Sequence, residues 1–174
     1  GEDDISKIFK SALIQGNTAG ALEKIPYLYF NSKYLTVSQI PFKQNNKEVI
    51  AAILPRLKRS GALKPLFLWC CAEGGSQKMD TAILKMFEPY LGLRKPKQGM
   101  LSRHFLSGAL AQAAGHGNTQ AVEYLLPFLG KKLPPTALVE AALGGHKDAF
   151  DLLLERTDQV KALAVITKKL AKGE

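Results

Sequence analysis

A chain of 174 residues, 46 % hydrophobic and 22 % charged, can bury one sizeable core and does not have the composition of a disordered segment. No apolar run approaches the roughly 20 residues that cross a bilayer, and the acidic start Gly1-Glu2-Asp3-Asp4 has no apolar core of a signal peptide, so membrane insertion is not expected. The leading Gly leaves open a longer natural chain. A net charge of +9 favours acidic partners, whether protein, nucleic acid or anionic surface.

In chain order, the sequence reads as one pattern repeated about five times, over residues 5–30, 34–60, 65–92, 105–130 and 134–156, with a cap at 157–172. The first copy is marked by Gly16-Asn17-Thr18, with Ala21, Ile25 and Leu28 following. In the second, Asn45-Asn46 precedes Val49, Ile50, Ile53, Leu54 and Leu57. Cys71-Ala72 and Gly75-Ser76 mark the third, which carries about four extra residues before its second half. The fourth and fifth superpose without gaps. Ala113-Ala114, Gly117-Asn118 and Ala121-Val122 of one align with Ala141-Ala142, Gly145-His146 and Ala149-Phe150 of the other.

Each copy is expected to be two short antiparallel helices. Small residues such as Ala113-Ala114 let the first helix approach its neighbours, and a Gly ends it at no steric cost. Apolar residues at i, i+1, i+4 and i+5, as in Ala121, Val122, Leu125 and Leu126, give the second helix one buried face. Pro26, Pro55, Pro89 and Pro127, spaced by 29, 34 and 38 residues, fall where this second helix should stop or kink. Such pairs bury their apolar faces only by stacking, so a single all-α solenoid domain over 1–174 is predicted.

Candidate chemistry is sparse. Cys70 and Cys71 are adjacent, without a nearby zinc-ligand set, and read as core thiols in a reducing, intracellular setting. His104 follows Arg103 without a paired carboxylate, and Gly74-Gly75 and Gly144-Gly145 lack the Lys-Ser/Thr of a phosphate loop. No catalytic residue, metal or cofactor is assigned, and the chain is expected not to be an enzyme. Basic residues cluster between copies: Arg56, Lys58, Arg59 and Lys64, then Arg94, Lys95, Lys97 and Arg103, then Lys131 and Lys132. In a solenoid these loops would project from one edge as a positive rim, with about 10 Å between repeats.

The block Thr136-Ala-Leu-Val-x-Ala-Ala-x-x-Gly-His146, with Leu153-Leu154 following, resembles the ankyrin repeat. The likeness is close over about 106–156, fair over 66–91 and faint over 5–57. Ala137 and Val139 replace the Pro and His of the family tetrapeptide, whereas Thr136 is retained as a candidate helix cap. The family's Gly-Ala-Asp hairpin is absent, so loops or distorted fingers are expected in its place. The segment from Thr157 to Leu170 resembles the closing helix of such an array, with polar residues facing water.

The resemblance implies a monomeric protein-binding scaffold in the cytoplasm or nucleus. Its contacts would include Gln15, Glu73, His116 and Leu143, which fall at positions that face the groove in that family. His146 takes the family's structural Gly-His place. One alternative is a substrate-docking part of a larger enzyme or of a bacterial secreted effector acting in host cytoplasm. The other is nucleic-acid or anionic-surface binding by the basic face, for which the loops offer little aromatic interleaving.

Overall fold

The computed structural model describes residues 4–30, 35–73, 79–93, 95 and 100–173, and they fold as α-helices with no strand among them. The chain forms two compact units, Gly1–Cys70 with Gly74–Leu91, and Cys71–Glu73 with Gly92–Glu174.

In the first unit, α1 (Asp4–Ile14) turns back into α2 (Thr18–Lys24), which ends in a 3-10 turn at Ile25–Tyr27. Then come α3 (Leu35–Lys43), α4 (Lys47–Ser60), α5 (Leu63–Ala72, whose last two residues belong to the second unit), α6 (Thr81–Met86) and α7 (Glu88–Leu91). Helix α1 packs on α2 and α3, and α2 packs on α4. First helix meets first helix, and second meets second. The apolar spacing of α4 accounts for its place: Val49, Ile50, Ile53, Leu54 and Leu57 are all buried. Phe87 closes this core, its ring 5.6 Å from that of Phe42 and 5.2 Å from that of Phe67.

The second unit holds α8 (Met100–Gly115), α9 (Thr119–Leu125) with a 3-10 turn at Leu126–Phe128, α10 (Thr136–Leu143), α11 (Lys147–Leu154) and α12 (Gln159–Ala171). Helices α8, α10 and α12 make one layer, and α9 and α11 the other. Ala113, Ala114 and Ala141 are fully buried, as close approach between first helices requires.

The turns inside the pairs follow one chemistry. Gly16, Gly117 and Gly145 adopt φ of 74°, 69° and 71°, and Asn45 takes the same left-handed backbone at 55°. The next residue is the N-cap of the second helix, and in all but His146 its side chain makes the capping bond. The side chains of Asn17, Asn46 and Asn118 accept from the amides of Gly20, Val49 and Ala121.

Two local expectations change. Pro26 and Pro127 do lie in the 3-10 turns after α2 and α9, but Pro55 stands inside α4, and Pro89 lies in the first turn of α7. Helix α4 runs on because Leu57 is buried and Arg56 donates to the Leu28 carbonyl at 3.0 Å; it ends at Gly61, φ 76°. Thr136 is not a cap: Pro135 holds that place, with no side-chain bond. The connection after α9 is a loop, tied to the next connection by Leu133 N–H donating to the Arg156 carbonyl at 2.8 Å.

The closing helix departs furthest from expectation. Helix α12 is present and capped by Asp158, whose carboxylate accepts from the amides of Val160 and Lys161. Its outer surface, however, exposes Val160 (79 %), Leu163 (64 %) and Leu170 (62 %). Only Ala162 of this helix is buried, because α10 covers a narrow strip of it.

Candidate functional site

The connection after α9 and the start of α12 enclose an open cleft of about 520 Å³ in the second unit. Lys131 and Lys132 line it, together with Pro134, Pro135, Arg156 and Lys161; Glu155 and Asp158 contribute carboxylates. The bridge between Leu133 and Thr157 holds the two walls together. Arg156 Nη1 also donates to the Leu126 carbonyl at 3.3 Å, so one of its nitrogens anchors the preceding helix end.

The first unit carries a cleft of about 410 Å³ at the corresponding register, lined by Leu28, Tyr29, Phe30, Arg56, Arg59 and Ser60. Arg56 plays the part of Arg156: it bonds the Leu28 carbonyl, and its guanidinium lies 6.0 Å from the centroid of the Phe30 ring. A smaller hollow of about 230 Å³ joins Lys58 and Lys64 with Gly61, Leu63, Tyr90 and Leu91. Lys58, Arg59 and Lys64 thus fall into two neighbouring recesses of the first unit.

Two residues singled out by resemblance meet directly. His116 Nε2 lies 3.6 Å from Glu73 Oε1, with both side chains about half exposed, and its Nδ1 is 2.8 Å from the Gln112 carbonyl. An ordinary surface pair of this kind contributes at most about 1 kcal/mol. Leu143 ends α10, half-buried, and Gln15 bonds Ser11 at 3.3 Å. Lys95 sits over the Phe128 ring at 4.8 Å, whereas Arg103 is exposed on α8 near Gly130. Arg94 and Lys97 lie outside the described residues.

Cys70 and Cys71 are buried and not joined by a disulfide, and burial pushes the Cys71 thiol far above the ordinary range, opposite to what a nucleophile needs. His104 is exposed. His146 is wedged against Gly117 and Gly144, where its ring would meet any added Cβ. Among the described residues no three His, Cys, Asp or Glu side chains group as metal ligands, and no helix is long and apolar enough to cross a membrane.

Sequence reading missed Arg156 and Lys161 as cleft residues. The signal was present: Arg156 follows Glu155, the register of the recurring proline, as Arg56 follows Pro55. Comparison with family models, with curated proteins and with solved structures yields no match.

Proposed function

We propose that this chain is a monomeric protein-binding module of about five degenerate ankyrin-like helix pairs, with no catalytic activity of its own. It would hold an acidic segment of a partner at the basic clefts between successive pairs. The layering of first helices on first helices and second on second, within each unit, supports the ankyrin-like part of this reading. The observation that carries the function is the second unit's cleft. Lys131 and Lys132, picked out as an inter-repeat loop, face Arg156 and Lys161 across an opening large enough for peptide side chains.

A protein occupant is favoured over a nucleic acid by the other residues in that cleft. Glu155 and Asp158 would face a continuous phosphate track with like charge, whereas a peptide can alternate acidic and neutral groups. Pro134 and Pro135 add rigid apolar surface and no donor. The test is capture from lysate by wild type and by the Lys131→Glu, Lys132→Glu double variant, followed by titration of the purified captured protein. Loss of at least tenfold in affinity, greater at low salt, is expected. Equal affinity moves the site away from this cleft, and capture of nucleic acid alone replaces the reading with the nucleic-acid one.

A further inference from the structure

The connection that leaves α2 is extended at Leu28, and its side chains alternate: Leu28 and Phe30 are buried, while Tyr29 between them is 72 % exposed. On α4, Arg56, Arg59 and Ser60 stand at i, i+3 and i+4, within an arc of about 100° with Arg56 near its middle. These two segments form the first unit's cleft of about 410 Å³.

Its chemistry differs from that of the second unit's cleft. Both of its cations are arginines, and no carboxylate is among its described lining residues. Arg56 is fixed in place: its Nη2 donates to the Leu28 carbonyl at 3.0 Å, and the Phe30 ring lies 6.0 Å from its guanidinium. Its Nε is buried without a hydrogen-bond partner among the described residues. Arg59, one turn further on, is exposed, and neither arginine makes an ion pair among the described residues. The Ser60 hydroxyl is committed to the Leu57 carbonyl at 3.0 Å, so the donors left for a ligand are the guanidiniums. A half-buried charge without a counter-ion is unfavourable, and an anion in the cleft relieves it.

Charge and shape select that anion. Two guanidiniums carry two positive charges, and a phosphate monoester brings about −1.5 to −2 with three acceptor oxygens. The planar fork of Arg meets such oxygens in pairs. A lone carboxylate or a nucleic-acid phosphodiester carries a single charge and leaves one arginine unmatched. We propose that this cleft binds a phosphate monoester between Arg56 and Arg59, with the Tyr29 ring at the rim beside whatever carries the ester. The proposal does not depend on the acidic segment assigned to the second unit's cleft.

The test titrates the full chain, in phosphate-free buffer, with five probes. These are labelled peptides bearing phosphotyrosine or phosphoserine, the Glu version of the same peptide, adenosine monophosphate and inorganic phosphate. At least one ester is expected to bind about tenfold or more tightly than the Glu peptide. Binding of the phosphopeptides alone assigns the ester to a protein side chain, and binding of the nucleotide alone assigns it to a mononucleotide; both support the site. Arg59→Gln should weaken ester binding about tenfold or more. Lys58→Gln removes the same charge one residue away, outside this cleft's lining, and should change binding by less than about twofold. Arg56→Lys keeps the charge but loses the fork, and should weaken binding severalfold. Lys131→Glu with Lys132→Glu should leave it unchanged, which separates failure here from failure of the second unit's cleft. Lys58 and Arg59 are exposed, so their variants should keep the wild-type thermal melt. Four results overturn the proposal: no ester bound more tightly than about 1 mM, equal binding of the Glu peptide, equal losses in Lys58→Gln and Arg59→Gln, or binding of inorganic phosphate alone.

Discussion

The imidazole of His146 occupies the space that a side chain on Gly117 would need: a Cβ there would stand 2.5 Å from its Nδ1 and 2.9 Å from its Cε1. These residues belong to successive helix pairs, so one glycine serves both its own left-handed turn and the seat of the next pair's histidine. Gly117→Ala is therefore expected to cost about 2–4 kcal/mol, combining the left-handed strain with overpacking. His146→Ala in the same chain should recover the packing part and leave about 1–2 kcal/mol of backbone strain. Urea unfolding of the four chains of this cycle measures the split; strictly additive losses would mean that the ring is not what Gly117 accommodates.

Asn118 ties two segments of the second unit with one side chain. It is 2 % exposed, its Nδ2 donates to the Cys71 carbonyl at 2.9 Å, and its Oδ1 accepts from the Ala121 amide at 3.3 Å. Asn118→Ala removes the cap and strands a carbonyl, for a loss of about 2–3 kcal/mol. Asn118→Ser restores an acceptor at the cap and should return about 1 kcal/mol. A Ser variant no more stable than Ala in chemical denaturation would show that the cap contributes nothing here.

Asp80 makes part of the first unit's stability depend on acid. Its carboxylate accepts from the Ala82 amide and from Lys47, and these bonds hold its pKa below the ordinary 3.8. A depressed folded-state pKa means stability that is present above the unfolded value and lost as pH falls through the folded one. Asp80→Asn keeps a cap acceptor but removes the charge, so its stability should be flatter than wild type between about pH 2 and 5. The carboxylate is about half exposed to solvent, so the effect is small. Parallel pH profiles for the two chains would refute it.

Both thiols are buried, and burial raises the Cys71 pKa far above neutrality. In native protein at pH 8 neither Cys70 nor Cys71 should react with a disulfide reagent on the timescale of minutes; in denaturant both should react at once. Rapid native labelling of one thiol would mean that α5 opens locally at its end.

Much of the helical pairing was legible because it is written in local chemistry. The Ala113-Ala114 and Ala121-Val122 spacing, the turn glycines and the apolar face of α4 each specify a helix or its end without long-range information. The cleft was only half legible. Lys131 and Lys132 stand out as a loop pair, but Arg156 joins them through a fold-back that shows in the sequence only as the repeat register it shares with Arg56. Pro55 misled for the opposite reason, since burial of Leu57 overrides the local stop signal. The polar cap failed because an amphipathic repeat fixes which residues recur, not which face a neighbour covers; α10 covers Ala162 and leaves Leu163 and Leu170 outside.

Arg56 and Arg156 provide the sharpest separation of scaffold from binding surface. Each donates to a carbonyl near the end of the preceding second helix, Arg56 to Leu28 at 3.0 Å and Arg156 to Leu126 at 3.3 Å. Arg56 is the more enclosed, with a buried Nε that has no hydrogen-bond partner among the described residues and with Phe30 beside it. Lysine keeps the charge but loses the planar fork that reaches the carbonyl. Arg56→Lys is thus expected to cost about 1–2 kcal/mol, and the more exposed Arg156→Lys less than about 1 kcal/mol. The partner cleft should respond in the other order, because Arg156 lines it beside Lys131 and Lys132 whereas Arg56 does not, and a lysine at position 156 loses the fork that grips a carboxylate. Urea melts paired with titration of the captured partner test both halves. If Arg156→Lys proves the more destabilising change, the hydrogen bond to Leu126 and not the cleft is the reason an arginine stands at that position.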